Sequence, residues 1–338
     1  MSRPLLMDIN YTVFLRDEKL IIIDRRGFPR KVEELLCSDC EQVAQAIESM
    51  AVQGAGDIAI AAAYGLYLAA KELESKCSYR IQAKQCLQEP YQRLINTRPT
   101  GHYLKSLLDK IMSSLDDRLS PADQILLIIR QAIQKQQRRS ELTGEWAEQL
   151  LQDGDTILTH CFPGPALLYM LQMASSNKKR IKVIACETRP YLQGARLTAP
   201  SVAALNIPVT LISDNMAAYC MAAGMINKVF TAADRIALDG TVANKVGTFQ
   251  LALAAHYHQL PFYILGYSGP DRKSNHAADI PIEIRDPGEV LSYAGHLISG
   301  DGVQGFYPAF DLTPAELISA IITDRGIFQP ELIQGYWT

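Results

Sequence analysis

The sequence lacks a strong charge of either sign: 33 Lys and Arg stand against 36 Asp and Glu, for a net charge of −3. That balance leaves no electrostatic footprint for nucleic acid or an anionic membrane surface. Long hydrophobic runs are missing too. The most apolar stretch, Ile58 to Ala70, is about 13 residues, too short to span a bilayer. Met1–Leu6 offers one Arg and a very short apolar patch ended by Asp8, so no export signal is expected. A soluble, cytoplasmic protein is the expectation. Cysteine is sparse, seven in 338 residues and an odd number. A disulfide scaffold would be short and Cys-dense, so free thiols in a reducing compartment are expected. Cys37-Ser-Asp-Cys40 has metal or redox spacing, but no second CxxC or His pair follows it. The Ser38-to-Glu41 span fits a helix capping box instead. No GxGxxG follows a strand and no GxxxxGK[ST] occurs, so neither a nucleotide-cofactor dehydrogenase nor a P-loop protein has support. The six His are scattered, and His256 and His258, two apart, do not share a helix face. No metal site is expected.

What is present is a globular composition, 48% hydrophobic and 20% charged, which argues against intrinsic disorder. At roughly 150 residues per domain, the length suggests about two domains. The division is expected as residues 1–120, a mainly helical domain carrying a β-hairpin, and 121–338, an α/β domain on a parallel sheet. In the first half, Leu20–Asp24 reads as a β-branched strand, Arg25–Phe28 as a turn and Arg30–Leu36 as its return. Helical patterns follow over Ser38–Met50, Ile58–Leu73, Ile81–Asn96 and Tyr103–Leu115. Ser120 and Pro121 supply the cap and first position of another. From Thr156 the pattern changes to strands alternating with helices: Thr156–Cys161, Lys182–Cys186, Val209–Ile212, Lys228–Thr231 and Pro261–Leu265. Such alternation means βαβ units, and parallel sheets place ligands at the carboxyl ends of their strands.

Those strand ends collect reactive groups. Cys161, between a strand and a helix, can feel the helix's positive end, which favours thiolate; the alternative is a buried, inert thiol. Asp234 closes an apolar strand, where a carboxylate is costly unless used or paired with Arg235 or Arg189. Asn244-Lys245 before Gly247-Thr248 reads as a phosphate contact at a helix start, through backbone N–H groups, the dipole and one ammonium. Gln53-Gly54-Ala55-Gly56 is a second glycine-rich helix entry. His160 cannot pair with Cys161, since adjacent strand residues face opposite ways.

The runs Ile157–Cys161, Glu187–Ala199, Ala233–Ile236 with Asn244–Thr248, and Pro308–Pro314 resemble the methylthioribose-1-phosphate isomerase family. Gly54-Ala55, Ala61–Gly65 and Arg98-Pro99-Thr100 extend the resemblance over nearly the whole chain. It implies an aldose-1-phosphate to ketose-1-phosphate isomerase of methionine salvage or a parallel pathway. It also implies a smaller N-terminal domain and a Rossmann-like C-terminal domain, a phosphosugar substrate, neither metal nor nucleotide as cofactor, and a homodimer. By resemblance the catalytic pair falls on Cys161 and Asp234. Ligand contacts fall on Gln53, Gly54, Ala55, Arg98, Gln193, Asn244 and Lys245. The family turn that begins RGAP reads Gln53-Gly54-Ala55-Gly56, which removes one cation and leaves 5-methylthioribose-1-phosphate and 5-deoxyribose-1-phosphate both open as substrates. Two relatives of the family stand as alternatives. One is ribose-1,5-bisphosphate isomerase. The other is the non-catalytic regulatory subunit of the translation-initiation exchange factor, which tends to lose the Cys and Asp pair retained in this sequence.

Overall fold

The computed structural model describes residues 4–76, 82–98, 101–293 and 295–338. Cys77, Ile81, Pro99 and Thr100 lie outside them. The chain divides into two compact units, Asp8–Gln137, and Met1–Met7 with Arg138–Thr338. The division falls at 137/138 and not at 120/121. The helix that Ser120 caps, accepting from the Asp123 N–H at 3.1 Å, runs unbroken for 28 residues, so no linker follows residue 120.

In the Asp8–Gln137 unit, β1 (Val13–Arg16), β2 (Lys19–Ile23) and β3 (Glu34–Cys37) form an antiparallel meander. Val13 faces Ile22 and Leu20 faces Cys37. The expected hairpin is its β2–β3 half. Helices α1 (Cys40–Glu48), α2 (Ala55–Lys76), α3 (Ala83–Cys86), α4 (Gln88–Asn96) and α5 (His102–Ser114) follow, and α6 (Pro121–Glu148) begins in this unit and ends past its last residue, Gln137. The cap of α1 is Asp39 and not Ser38. Asp39 accepts the Gln42 N–H at 2.8 Å, and the Gln42 side chain reaches back to the Ser38 N–H. Helix α2 is buried on every face from Ala59 to Ala70, as expected of a helix that is apolar all round. Its alanines keep it narrow, and α1, α4 and α5 pack against it. No helix among the described residues is long and apolar enough to cross a membrane.

The other unit alternates strand and helix: β4 (Thr156–Thr159), α7 (Pro165–Ser176), β5 (Lys182–Cys186), α8 (Ala199–Ala204), β6 (Val209–Ile212), α9 (Ala217–Ala222) and β7 (Lys228–Ala232). It continues with β8 (Arg235–Ile236), β9 (Val242–Lys245), α10 (Thr248–Tyr257), β10 (Phe262–Tyr267), α11 (Gly288–Leu291), β11 (Ser292–Tyr293), β12 (His296–Leu297), β13 (Phe310–Thr313), β14 (Ala320–Thr323) and β15 (Gly326–Phe328). Seven strands make one sheet in the order β15-β14-β10-β7-β4-β5-β6. All neighbours are parallel except β14 and β15. Covered on both faces, the central strands carry unbroken apolar cores such as Val183–Cys186 and Val229-Phe230.

Chain order reverses between β4 and β7: β5 and β6 continue to one side of β4, and β7 and β10 to the other. In open α/β sheets that reversal opens a crevice at the carboxyl ends of the two strands. A second sheet, β13-β9-β8, is antiparallel, with Lys245 opposite Phe310 and Asn244 opposite Asp311. Asn244 and Lys245 therefore project from a strand, not from a helix start as the sequence suggested.

Candidate active site

Cys161 lies two residues past β4 and Asp234 two past β7, on either side of the reversal. Cys161 has φ +59° and Thr188, past β5, has φ +65°. Left-handed backbone is uncommon outside glycine and costly for a β-branched residue, so surrounding bonds must impose it. They are present. The Cys161 N–H donates to Thr188 Oγ1 at 2.8 Å, and the Thr198 hydroxyl donates to the Cys161 carbonyl. The Thr188 and Arg189 N–H groups donate to the two oxygens of Asp214, past β6, at 2.8 and 2.7 Å. Three adjacent strand ends are thereby tied together around Cys161.

The loop after Cys161 is held from β10. The Tyr267 hydroxyl donates to the Pro163 carbonyl and accepts the Ala166 N–H at 3.2 Å. Gly164, at φ +82°, makes room, since a Cβ there would meet that hydroxyl at 2.4 Å. Tyr267→Phe should cost about 1–2 kcal/mol of stability, because two polar backbone groups lose their partner. Urea denaturation measures it. An unchanged midpoint would mean that the hydroxyl does not secure the loop.

Burial pushes the Cys161 thiol up to about 11, although Lys245 and Arg285 pull it down. The thiolate expected from the nearby helix is therefore not favoured. Helix α7 begins only at Pro165, too far along for its end to outweigh desolvation. The Asp234 carboxyl is also raised by desolvation, with Lys245 and Arg285 opposing and Glu283 reinforcing, though the residue keeps an exposed surface. Neither Arg235 nor Arg189 neutralises it. Arg235 faces Asp271 at 3.9 Å, and Arg189 donates to the Val290 and Ser292 carbonyls at 3.2 and 3.0 Å.

Lys245 is 4% exposed, and burial lowers its ammonium pKa. Asn244, equally buried, donates through Nδ2 to Thr248 Oγ1 at 2.9 Å. Two of the N–H groups at the start of α10 are already taken. Asp311 takes them, accepting from Gly247 N at 2.6 Å and Phe249 N at 3.2 Å. The phosphate contact expected at this helix start therefore lacks the Gly247 and Phe249 N–H groups. Gln193 is 7% exposed, and its Oε1 is buried without a hydrogen-bond partner. Gly194 after it permits a close approach to the end of β5, since any Cβ would overlap the Cys186 carbonyl oxygen at 1.7 Å.

The remaining sequence-predicted residues belong to the Asp8–Gln137 unit. Gln53 is buried, donates from Nε2 to the Met50 carbonyl at 3.1 Å, and accepts Arg25 Nη1 at its own carbonyl. Gly54 has φ +92°, and Ala55 begins α2. Asp57 pairs with buried Arg25 and accepts Gln136 Nε2 at 3.2 Å. That amide lies 2.5 Å from where a Cβ of residue 56 would stand, which accounts for glycine at Gly56. Arg98 donates to the Ile47 carbonyl at 3.1 Å.

Among the described residues, His160, Cys186 and Asp214 are a group that could hold a metal, with ligand atoms within 4.8 Å of one another beside a cavity of about 190 Å³. The polar atoms of His160 and Asp214 already serve the scaffold. His160 Nε2 bonds the Val246 carbonyl at 3.0 Å, and Nδ1 meets Thr188 Oγ1 at 3.3 Å. Sequence reasoning missed Thr188, Asp214, Tyr267, Arg285 and Tyr307. Tyr307 directly precedes the Pro308–Pro314 run, which was the available signal for it; Arg285 had none.

The chain belongs to the Initiation factor 2 subunit family, whose model matches residues 51–330. Within that family it groups with the methylthioribose-1-phosphate isomerases. It is 41% identical over 324 residues to a protein of that name from Thermosipho melanesiensis, covering 93% of each chain. It is 40% identical over 331 residues to a putative methylthioribose-1-phosphate isomerase from Methanocaldococcus jannaschii, covering 96% of each. Among solved structures, it is similar to 5-methylthioribose 1-phosphate isomerase from Pyrococcus horikoshii, with a TM-score of 0.84 and 32% identity over 96% of this chain and 95% of that one. Subunit delta of the translation initiation factor eIF-2B from A. fulgidus gives 0.80 and 32%, covering 98% and 97%.

Proposed function

We propose that this chain is an aldose–ketose isomerase that converts 5-methylthioribose-1-phosphate to the corresponding ketose-1-phosphate. The observation that carries the reading is the pair at the sheet's reversal: a protonated thiol, Cys161, and a carboxyl with a raised pKa, Asp234, beside buried Lys245. Names of relatives supply the substrate.

A sugar phosphorylated on its anomeric oxygen cannot open by losing a hydroxyl proton. Asp234, whose carboxyl pKa is raised by desolvation, gives its proton to the ring oxygen as the C1–ring oxygen bond breaks. The hydrogen on C2 then moves with its electron pair to C1, and C2 becomes a carbonyl by losing its hydroxyl proton, which the Asp234 carboxylate takes back. Hydrogen and electrons stay within one substrate molecule, so no external reductant is required. The alternative route, proton abstraction from C2 by Cys161, needs thiolate. With the thiol near 11, forming it at pH 7 costs about 5 kcal/mol. This favours hydride movement, with the Cys161 thiol lying against the reacting carbons and hydrogen-bonding the C2 oxygen. Gln193 binds sugar hydroxyls through its unpartnered Oε1. Asn244 and Lys245 bind the phosphate.

The test is turnover of purified protein with the methylthioribose, 5-deoxyribose and ribose 1-phosphates, followed by NMR with deuterium at C2. Label retained at C1 supports the hydride route; no product from any of the three would overturn the function.

A homodimer belongs to the same proposal. On α10, Phe249, Leu253 and Tyr257 lie four residues apart and are exposed, Tyr257 by 82%, and Tyr219 on α9, which packs against α10, by 74%. An apolar stripe of this kind suits burial against a second copy. Light scattering should give about twice 37.5 kDa, and Leu253→Glu with Tyr257→Glu should give monomer. A monomeric parent chain would remove the dimer.

A further inference from the structure

The side chains that face Cys161, Asp234 and Lys245 from the 283–309 segment have no role in the scheme above. That segment is held by main-chain pairing. The Arg285 N–H donates to the Tyr307 carbonyl at 2.9 Å, and the Ala309 N–H donates to the Glu283 carbonyl at 2.8 Å. A bridge joins Ile284 to Pro308. Three residues after Tyr307, Phe310 pairs with Lys245 across β13 and β9. The pairing thus extends the small antiparallel sheet by one short strand and makes Arg285 a cross-strand neighbour of Tyr307.

The side chains follow from this register. The Arg285 guanidinium lies 5.9 Å from the Tyr307 ring centroid and is largely buried, 13% exposed. Glu283 takes its Nε at 3.1 Å, which orients the plane and leaves Nη1 buried with no hydrogen-bond partner. Tyr307 is 2% exposed, and its hydroxyl meets Lys245 Nζ at 3.5 Å, long for a hydrogen bond. Lys245 lies over the Tyr307 and Phe310 rings at 5.6 and 5.1 Å and has no carboxylate within ion-pair distance among the described residues. Two buried cations thus flank one tyrosine hydroxyl; Glu283 bonds to Arg285, and Glu289 lies near enough to act on Arg285 and Tyr307, but Lys245 has neither as an ion-pair partner. Buried charge is costly unless compensated, and a preformed cluster of this sign calls for an anion. At the start of α10, Asp311 already takes the Gly247 and Phe249 N–H groups.

We infer that Arg285, Lys245 and the Tyr307 hydroxyl form a subsite for a phosphoryl group, with Arg285 Nη1 donating directly to one of its oxygens. The inference rests on the proposed phosphosugar substrate and adds two binding residues to it. Desolvation and then Arg285 hold the Lys245 ammonium pKa down, as expected of two cations waiting for a shared anion. Glu283 and Tyr307 fix where the guanidinium points, so a point charge at 285 should serve less well than a planar fork.

The experiment uses inorganic phosphate as a probe that needs no turnover. Its dissociation constant is measured by calorimetry for the parent chain, Arg285→Gln, Arg285→Lys and Tyr307→Phe. In parallel, kcat and KM are measured with the pentose-1-phosphate. Arg285→Gln should weaken phosphate binding and raise KM by about ten- to a hundredfold, with a smaller change in kcat. Arg285→Lys should recover part of the loss, and Tyr307→Phe should weaken phosphate several-fold. If Arg285→Gln fails to fold, Tyr307→Phe, which keeps the ring and its packing, still decides the matter. Phosphate binding and KM unchanged in Tyr307→Phe and in every folded Arg285 variant, or no phosphate binding by the parent chain, would overturn the subsite. Arg285-dependent phosphate binding in a parent chain that turns over no pentose-1-phosphate would uphold the subsite and sink the isomerase reading instead.

Discussion

Cys161→Ala should lower kcat by about 10²–10³-fold, the usual contribution of one positioned hydrogen-bond donor to a transition state, while leaving the fold intact. The fold survives because the backbone of Cys161, not its sulfur, makes the structural bonds: its N–H to Thr188 and its carbonyl from Thr198. Truncating the thiol removes none of them. Thermal melting of the variant within a degree or two of the parent, with near-complete loss of turnover, is the expected pair of results. Full activity would remove Cys161 from the chemistry. Alkylation gives an independent reading of the same thiol. With the group pushed up to about 11, the reactive thiolate fraction grows about tenfold per pH unit below that value. Inactivation by iodoacetamide should therefore still be accelerating at pH 9. A plateau by pH 8 would mean that burial does not hold the proton on sulfur.

Asp234→Asn should lower kcat to a similar degree and leave KM much less changed, since the amide keeps the shape but cannot give a proton to the ring oxygen. The pH dependence has a definite sign. Desolvation raises the folded-state pKa of Asp234, so the folded chain binds this proton more tightly than the unfolded chain. Stability contributed by the group is greatest at low pH. It falls as pH climbs from the ordinary carboxylate range through the raised value, then levels off. Asparagine has no such loss, so Asp234→Asn should be at least as stable as the parent at neutral pH, with the gap widening toward alkaline pH. In the parent, kcat/KM should fall on the alkaline side as Asp234 loses the proton it must donate. Matched denaturation curves at pH 5 and pH 8 decide this. An asparagine variant less stable at pH 8 than at pH 5, relative to the parent, would mean that the carboxyl is held by an ion pair instead.

How much of this could be read beforehand follows from which residues carry periodic signals. From Thr156 onward, β-branched runs ended by glycine, proline or polar clusters recur between helical stretches, and the parallel sheet follows from them. Cys161 and Asp234 were visible because each closes such a run. The four-residue strand Val13–Arg16 was not visible, because it is short and ends in a charged residue. Val242–Lys245 was read as the approach to a helix. Its pairing with Phe310–Thr313, 65 residues on, depends on a register that no local pattern announces. For the same reason Asp311 could not be seen to occupy the start of α10, and Arg285 could not be seen beside Tyr307. The thiolate expectation failed on magnitude. A partial positive end several residues away is a weaker influence than complete surroundings of protein.

Helix α2 carries a consequence for motion. With no polar face between Ala59 and Ala70, it has no side that could turn to water at low cost, so it cannot fray or detach alone. Any opening that exposes its amides must also dissolve the packing of α1, α4 and α5 around it. The slowest-exchanging backbone protons of the Asp8–Gln137 unit therefore belong to the middle of α2, and their exchange measures the free energy of opening the unit as a whole.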